Sequence, residues 1–168
     1  REFLKINLVE DKEGTLVPLN FLDLFDMDLV TYPPALRDNA VDSAVVVYGQ
    51  SEAFNADDTL NLSTQGLKKT SFVAKIGDRA AVETMMRDWE LTIAKDLGNY
   101  LLIADASKEA SVNFLDNAYR GVPIRYKNFP FPDVTIDYAI VEAAGQNYLV
   151  IASSRETVYT VIDALMAQ

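Results

Sequence analysis

The C-terminal stretch constrains the fold of this chain more than any other. An apolar run, Tyr148 to Ala152, is followed by the polar pair Ser153-Ser154 and then by apolar residues at helical spacing from Val158 to Met166. This order predicts a buried strand that turns directly into an amphipathic helix. Either serine can cap the helix, and Ser153 with Glu156 three residues later has the spacing of a capping box. We therefore expect this stretch to form part of the hydrophobic core.

The same order of elements is found earlier in the chain. Thr70 to Ile76 predicts a strand, and a helix is predicted from Arg79 to about Leu97, with Gly98 at the position of a C-cap glycine. The helix is predicted because apolar residues recur on one face, namely Val82, Met85, Met86, Trp89, Ile93 and Leu97. Because this stripe is long and regular, we interpret it as core.

The two strand-helix pairs resemble each other in sequence. Aligning Arg79 with Arg155 also matches Val82 with Val158, and each pair follows another predicted strand, at residues 44–48 and 134–142. The order strand, strand, helix occurs twice and raises the hypothesis of an internal duplication. The alternative is chance, since strand-to-helix junctions share their cap chemistry.

This pattern predicts an α+β fold. Strands joined by hairpins pair antiparallel, and two amphipathic helices need a common apolar surface. We expect a mostly antiparallel sheet of about five strands, by the strand count above, with two long helices on one face. The expected organisation is a single domain over 1–168: an arm and flap over 1–42, a first strand-strand-helix unit over 43–98, and a short helix, edge strand and second unit over 99–168.

The remaining elements are predicted from shorter patterns. Pro18 can open a short helix, and residues 108–118 are predicted to form another. Residues 119–127 alternate between apolar and polar and predict an edge strand, since Pro123 lacks an N–H donor. In the strand over 134–142, alternate residues are predicted to point inward, with Asp137 outward. The N-terminal residues are interpreted as a short strand or an arm.

Composition excludes several function classes. The chain has 168 residues, no cysteine and no histidine, and carries a formal charge of −10. Thiol catalysis, thiolate metal sites and the usual serine triads need the missing residues. A negative field also disfavours binding to nucleic acid and to anionic membrane surfaces. No cofactor is predicted.

Acidic residues leave an enzyme as an alternative. Asp23, Asp26 and Asp28 cluster, and Asp57 and Asp58 lie in a polar stretch that resembles part of a calcium loop. That stretch lacks the turn glycine and the closing glutamate, so a hydrophilic loop is the preferred interpretation. A carboxylate-dependent or divalent-metal-dependent enzyme remains the alternative to a non-enzymatic domain.

Several segments together resemble an uncharacterised family from candidate-phylum bacteria. They are the opening Arg1 to Leu4, Met86 to Thr92, Tyr119 to Val122, and Tyr148 to Thr157. In that family an N-terminal membrane-spanning helix precedes an extracytoplasmic domain similar to this whole chain. The resemblance implies a membrane-tethered envelope protein and supplies no catalytic residues. The chain begins at Arg1 without a signal peptide or membrane-spanning run, so we expect any tether to lie upstream.

The predicted function is a non-enzymatic, extracytoplasmic interaction domain that binds another envelope protein. The predicted contact residues are a pair of loop aromatics and a basic row on one strand face: Phe129, Phe131, Arg120, Arg125 and Lys127. Aromatic residues at a loop tip are effective interface anchors. The competing interpretation places both phenylalanines over the sheet edge and pairs the basic row with Asp137 across the hairpin. A self-associating scaffold or pilus-assembly type of domain is a further alternative.

Overall fold

The computed structural model describes residues 3–6, 8–49, 68–101, 113–130 and 134–167. These residues form nine strands and five helices. The strands are β1 (Phe3–Ile6), β2 (Leu8–Lys12), β3 (Thr15–Leu19), β4 (Ala40–Gly49), β5 (Lys68–Ile76), β6 (Leu115–Tyr119), β7 (Val122–Asn128), β8 (Thr135–Ala143) and β9 (Gln146–Ala152). The helices are α1 (Phe21–Met27), α2 (Pro34–Asn39), α3 (Arg79–Trp89), α4 (Ile93–Leu97) and α5 (Arg155–Met166).

One sheet organises the fold. Seven strands pair in the order β1-β4-β5-β9-β8-β7-β6, and every neighbouring pair is antiparallel. Strands β2 and β3 form a separate hairpin. The predicted α+β class and mostly antiparallel sheet are confirmed. The sheet has two more strands than the five predicted, because β1 and β6 extend its two edges.

The two main helices cover opposite faces of this sheet. Along β5, Phe72 belongs to a core cluster with Met86 of α3, whereas Val73 packs against a second cluster that contains Val158 of α5. Leu149 and Val150 of β9 alternate between the two clusters in the same way. We call these surfaces the α3 face and the α5 face. The prediction that both helices share one face is wrong.

The central strands explain this arrangement. Residues 136–141 of β8 are all buried, including Asp137, which was predicted to point outward and is 2% exposed. A strand that is apolar at consecutive positions needs cover on both faces. One helix layer on each face supplies that cover.

The structure also limits the hypothesis of duplication. The order strand, strand, helix does occur twice, in β4-β5-α3 and β8-β9-α5. The alignment of Arg79 with Arg155 matches Ile76 with Ala152, but Ile76 lies in the α3-face cluster and Ala152 in the α5-face cluster. Equivalent residues therefore point to opposite faces, and the two units are not related as a symmetric pair.

Helix bounds differ from the prediction in two places. The helix predicted from Arg79 to Leu97 is divided into α3 and α4 by a turn at residues 90–92, although its predicted apolar stripe is buried throughout. Gly98 is the C-cap of α4 and keeps right-handed helical angles. For α5 the cap is Ser154, whose side chain accepts a hydrogen bond from the Thr157 N–H. Ser153 instead contacts Thr70 of β5, so the predicted capping box is wrong.

The hairpin that precedes β8 was predicted with the wrong elements. The helix predicted over 108–118 is a strand from Leu115 onward, and its residues before 113 lie outside the described part of the chain. Arg120 and Gly121, both at positive φ, form the turn from β6 to β7. Because β6 lies outside β7, the strand that contains Pro123 is not an edge strand.

The N-terminal segment was predicted in part. Residues 3–6 form a strand, as one of the two interpretations proposed. Pro18 lies in β3, and α1 begins after Asn20, which forms a capping box with Asp23. The buried residues of α1 pack on the α3 face, where Phe25 lies 5.1 Å from Phe72 between ring centroids.

Candidate functional site

One of the two predicted loop aromatics, Phe129, is not an exposed anchor. Phe129 is 2% exposed and belongs to the α3-face core, so the prediction that it is available to a partner is wrong. Phe131 lies outside the described residues. A phenylalanine at a strand end packs into the core when the helix layer reaches that end, and the loop sequence alone does not show where the layer stops.

The predicted basic row does not form one surface. Arg125 and Lys127 lie on the α3 face and are largely buried, with 15% of the Arg125 side chain and 5% of Lys127 exposed. Arg120 lies in the preceding turn and binds Asp163 of α5 at 3.0 Å. Asp137, expected to pair with the row, points to the α5 face opposite Tyr126. The structure therefore separates Arg120 from Arg125 and Lys127, which share the α3 face beside Phe114.

Arg125 belongs to a polar cluster that the sequence did not predict. Its guanidinium donates two hydrogen bonds to Glu90, of 2.8 and 2.6 Å, and one of 3.0 Å to Asp116. The Tyr138 hydroxyl donates to the same Glu90 carboxylate at 2.5 Å. Glu90 is contributed by the turn after α3, so this cluster fastens the end of that helix to β7 and β8.

The ionisation of this cluster follows from its contacts. Burial raises the pKa of the Glu90 carboxyl, and the hydrogen bonds from Arg125 and Tyr138 outweigh burial and lower that pKa below its ordinary value. Burial and the neighbouring carboxylate both raise the pKa of Tyr138. The carboxylate is therefore stabilised in its charged form, which suits a structural ion pair.

The N-terminal acidic cluster also has a structural role. Arg37 of α2 binds Asp23 at 2.7 Å and also binds Asp26, and Tyr32 donates to Asp26 at 2.6 Å. Tyr100 donates a hydrogen bond to Asp28. Burial raises the pKa of Asp23, but the Arg37 hydrogen bond outweighs it and lowers that pKa. These contacts connect α1 to α2.

A metal site is not found in the described part of the chain. Within residues 3–6, 8–49, 68–101, 113–130 and 134–167, no group of three or more acidic side chains is arranged to hold an ion. The calcium-like stretch with Asp57 and Asp58 lies outside these residues.

A large open groove lies between α2 and α3. We call it the α2–α3 groove; its volume is about 830 Å³. One wall is formed by Tyr32, Pro33 and Ala35, at and before the start of α2. This volume lies within the range of ligand-binding clefts, of about 300 to 1,000 Å³. The groove exists because α2 packs beside α3 on the face that α5 leaves free.

The other wall follows one side of α3, from its N-cap Asp78 to Thr92 in the turn that follows it. Asp78, Ala81, Met85, Asp88 and Thr92 recur every three or four residues and all line the groove. This stripe lies beside the buried one, so it is the boundary between core and solvent. The sequence shows this spacing, but the stripe mixes polar and apolar residues and so has no hydrophobic periodicity of its own.

The groove combines apolar surface with acidic groups. Asp78 caps α3, Asp88 is exposed, and Asp96 accepts hydrogen bonds from Trp89 Nε1 at 2.9 Å and from Thr92 Oγ1 at 2.7 Å. No lysine or arginine is among the described residues that line the groove. Met85 and Trp89 lie at its base and are only 6% and 3% exposed, so its accessible apolar surface comes mainly from Tyr32, Pro33 and Ala81. Such a site can bind a ligand that presents both apolar and positively charged groups.

Comparison with known proteins gives no match: no family model, curated protein or solved structure is similar to this chain. The resemblance to envelope proteins therefore stays a prediction. None of the helices in the described ranges is long and apolar enough to span a membrane.

Proposed function

We propose that this chain is a non-enzymatic interaction domain and that the α2–α3 groove is the surface through which it contacts another envelope protein. The observation that carries the proposal is the size of the groove together with its mixed lining of aromatic, aliphatic and acidic side chains. Peptide-recognition grooves combine an apolar floor with a few polar groups that fix the orientation of the ligand.

The three N-terminal acidic residues that favoured an enzyme have partners within the fold. Asp23 and Asp26 are engaged by Arg37, and Asp28 by Tyr100. Their contacts account for the cluster without a reaction. An enzyme that depends on carboxylates or a divalent metal is therefore the weaker proposal.

Self-association through a sheet edge is also disfavoured at β6. In β6, the Asn117 Oδ1 atom accepts a hydrogen bond from the backbone N–H of Ala118 at 2.8 Å. A backbone donor that is bonded by its own neighbour is less available to a second strand. A scaffold that pairs through this edge is thus a less favoured alternative.

Tethering to a membrane remains part of the proposal through the resemblance described above. We propose an extracytoplasmic location, with the tether outside the residues of this chain. The formal charge of −10 is compatible with a domain that stands away from anionic lipid and meets a partner of opposite charge.

Peptide display on the immobilised chain tests the groove. We expect peptides to be enriched, and we expect Ala81→Trp to reduce their binding at least tenfold, because the indole fills the groove at the centre of the α3 wall. The matched control is Gln146→Trp, which adds the same side chain at an exposed position of β9. Enriched peptides that bind the Ala81→Trp variant and the unsubstituted chain equally would contradict the proposal, as would the absence of any enrichment.

A further inference from the structure

We infer that the partner segment is an extended, positively charged peptide with basic residues at positions i and i+4 and an apolar residue at i+2. This inference rests on the function proposed above, because it specifies what occupies the α2–α3 groove. It is carried by the spacing of the carboxylates along α3 and by the apolar side chains between them.

The charge of the groove selects a cationic occupant. Asp78, Asp88 and Asp96 line it, and no basic residue is among its described lining residues. Asp88 is exposed and has no ion-pair partner in the described part of the chain. Glu83, the acidic residue of α3 that does not line the groove, pairs with Arg79 at 2.7 Å instead. The negative charge of the groove is therefore directed at whatever enters it.

The spacing of the carboxylates sets the register. Asp78 and Asp88 are ten residues apart on the N-cap and body of one helix, which corresponds to about 15 Å along its axis at about 1.5 Å per residue. An extended peptide rises about 3.3 Å per residue, so positions i and i+4 are about 13 Å apart and point to the same side. Basic side chains are long and flexible enough to bridge the remaining difference.

The centre of the groove is apolar. Ala81 and Met85 lie between the two carboxylates on the same helical stripe, and Pro33 faces them from the opposite wall. The side chain at i+2 points to the same side as the two basic residues and meets this surface. Lysine and arginine also carry apolar stems, which pack on such a floor while their charged ends reach the rim.

A short peptide with this pattern provides the test. The probe is Gly-Arg-Ser-Leu-Ser-Arg-Gly with acetylated and amidated ends, titrated into the protein while the fluorescence of Trp89 is recorded. Trp89 is the only tryptophan of the chain and lines the groove, so its signal reports binding there. The control peptides replace both arginines with citrulline, or place them side by side in a sequence of the same composition.

The matched variants are Asp88→Asn and Glu83→Gln. Each removes one negative charge from α3, but only the first removes it from the groove. We expect Asp88→Asn to lower the affinity for the arginine peptide about fivefold and Glu83→Gln to leave that affinity unchanged. Binding should also weaken as salt is added. Melting temperatures of both variants check that the fold is retained.

The outcomes separate this inference from the function on which it rests. Equal affinity for the arginine and citrulline peptides, equal effects of the two variants, or no fluorescence change would overturn the inference. If peptides from the display experiment are neutral and still lose binding in Ala81→Trp, the groove is an interaction site and only its preference for basic segments is wrong. If Ala81→Trp leaves all peptide binding intact, the proposed function itself is wrong.

Discussion

Phe25→Ala is expected to lower the free energy of unfolding by about 4 kcal/mol, the range for removing a buried phenylalanine. Phe25 is 0% exposed and is the centre of an aromatic cluster. Its ring lies 5.3 Å from Phe21, 5.1 Å from Phe72 and 5.1 Å from Tyr100 between centroids. Because these partners come from α1, β5 and the segment after α4, no single neighbour can move to fill the cavity.

Urea denaturation measures this effect. The control is Met27→Ala in the same helix, since Met27 is 73% exposed and its truncation should change stability by less than about 0.5 kcal/mol. Equal destabilisation by the two substitutions would mean that α1 does not pack on the sheet as described.

Glu90→Gln is expected to lower the free energy of unfolding by about 3 kcal/mol, the second largest effect predicted. Glu90 and Arg125 are each 15% exposed, and the substitution leaves the Arg125 guanidinium with less compensating charge in a largely buried position. Asp116→Asn is the control, because Asp116 also binds Arg125 but is 80% exposed. We expect Asp116→Asn to lower the free energy of unfolding by less than about 1 kcal/mol, since exposed ion pairs contribute little to stability.

The same carboxylate gives a dependence on pH. Its pKa is lower in the folded chain than its ordinary value of 4.5, so the unfolded chain binds the proton more readily and protonation favours unfolding. The contribution of Glu90 to stability is therefore present above pH 4.5 and is lost as the pH falls through the pKa of the folded state. Urea denaturation at several pH values should show a smaller acid-induced loss for Glu90→Gln. Identical pH profiles would contradict the assigned ion pair.

The sequence predicted the elements that local pattern determines. The strands near residues 44–48, 70–76, 134–142 and 148–152 were predicted from apolar runs or alternation, and the buried stripe of α3 and α4 from helical spacing. The strand predicted over 119–127 matches β7 but includes the turn at Arg120 and Gly121. The cap of α5 could not be predicted from local sequence, because Ser153 and Ser154 offer the same chemistry and the contact of Ser153 with Thr70 decides between them.

Local sequence pattern did not predict which face of the sheet each helix covers. The apolar residues of β8 at consecutive positions were sorted into an inward and an outward set, although such a strand is equally consistent with cover on both faces. Both helices were predicted on one face because two amphipathic helices were expected to share one apolar surface. The role of Arg125 was not predicted, because its partner Glu90 lies 35 residues away in sequence. The sequence did not predict the groove, because its lining residues belong to α2 and α3, which are distant in sequence and adjacent only in the fold.

The assignment of α3 and α5 to opposite faces is the central claim, since it leaves the outer side of α3 free to form the groove. Contacts between methyl groups, measured by nuclear Overhauser effects on the labelled chain, test it most directly at Leu149 and Val150, neighbours in β9. We expect Leu149 to show contacts with Val82 or Met86 of α3, and Val150 to show contacts with Val158 or Ile162 of α5. Contacts from both helices to the same one of these two residues would contradict the account.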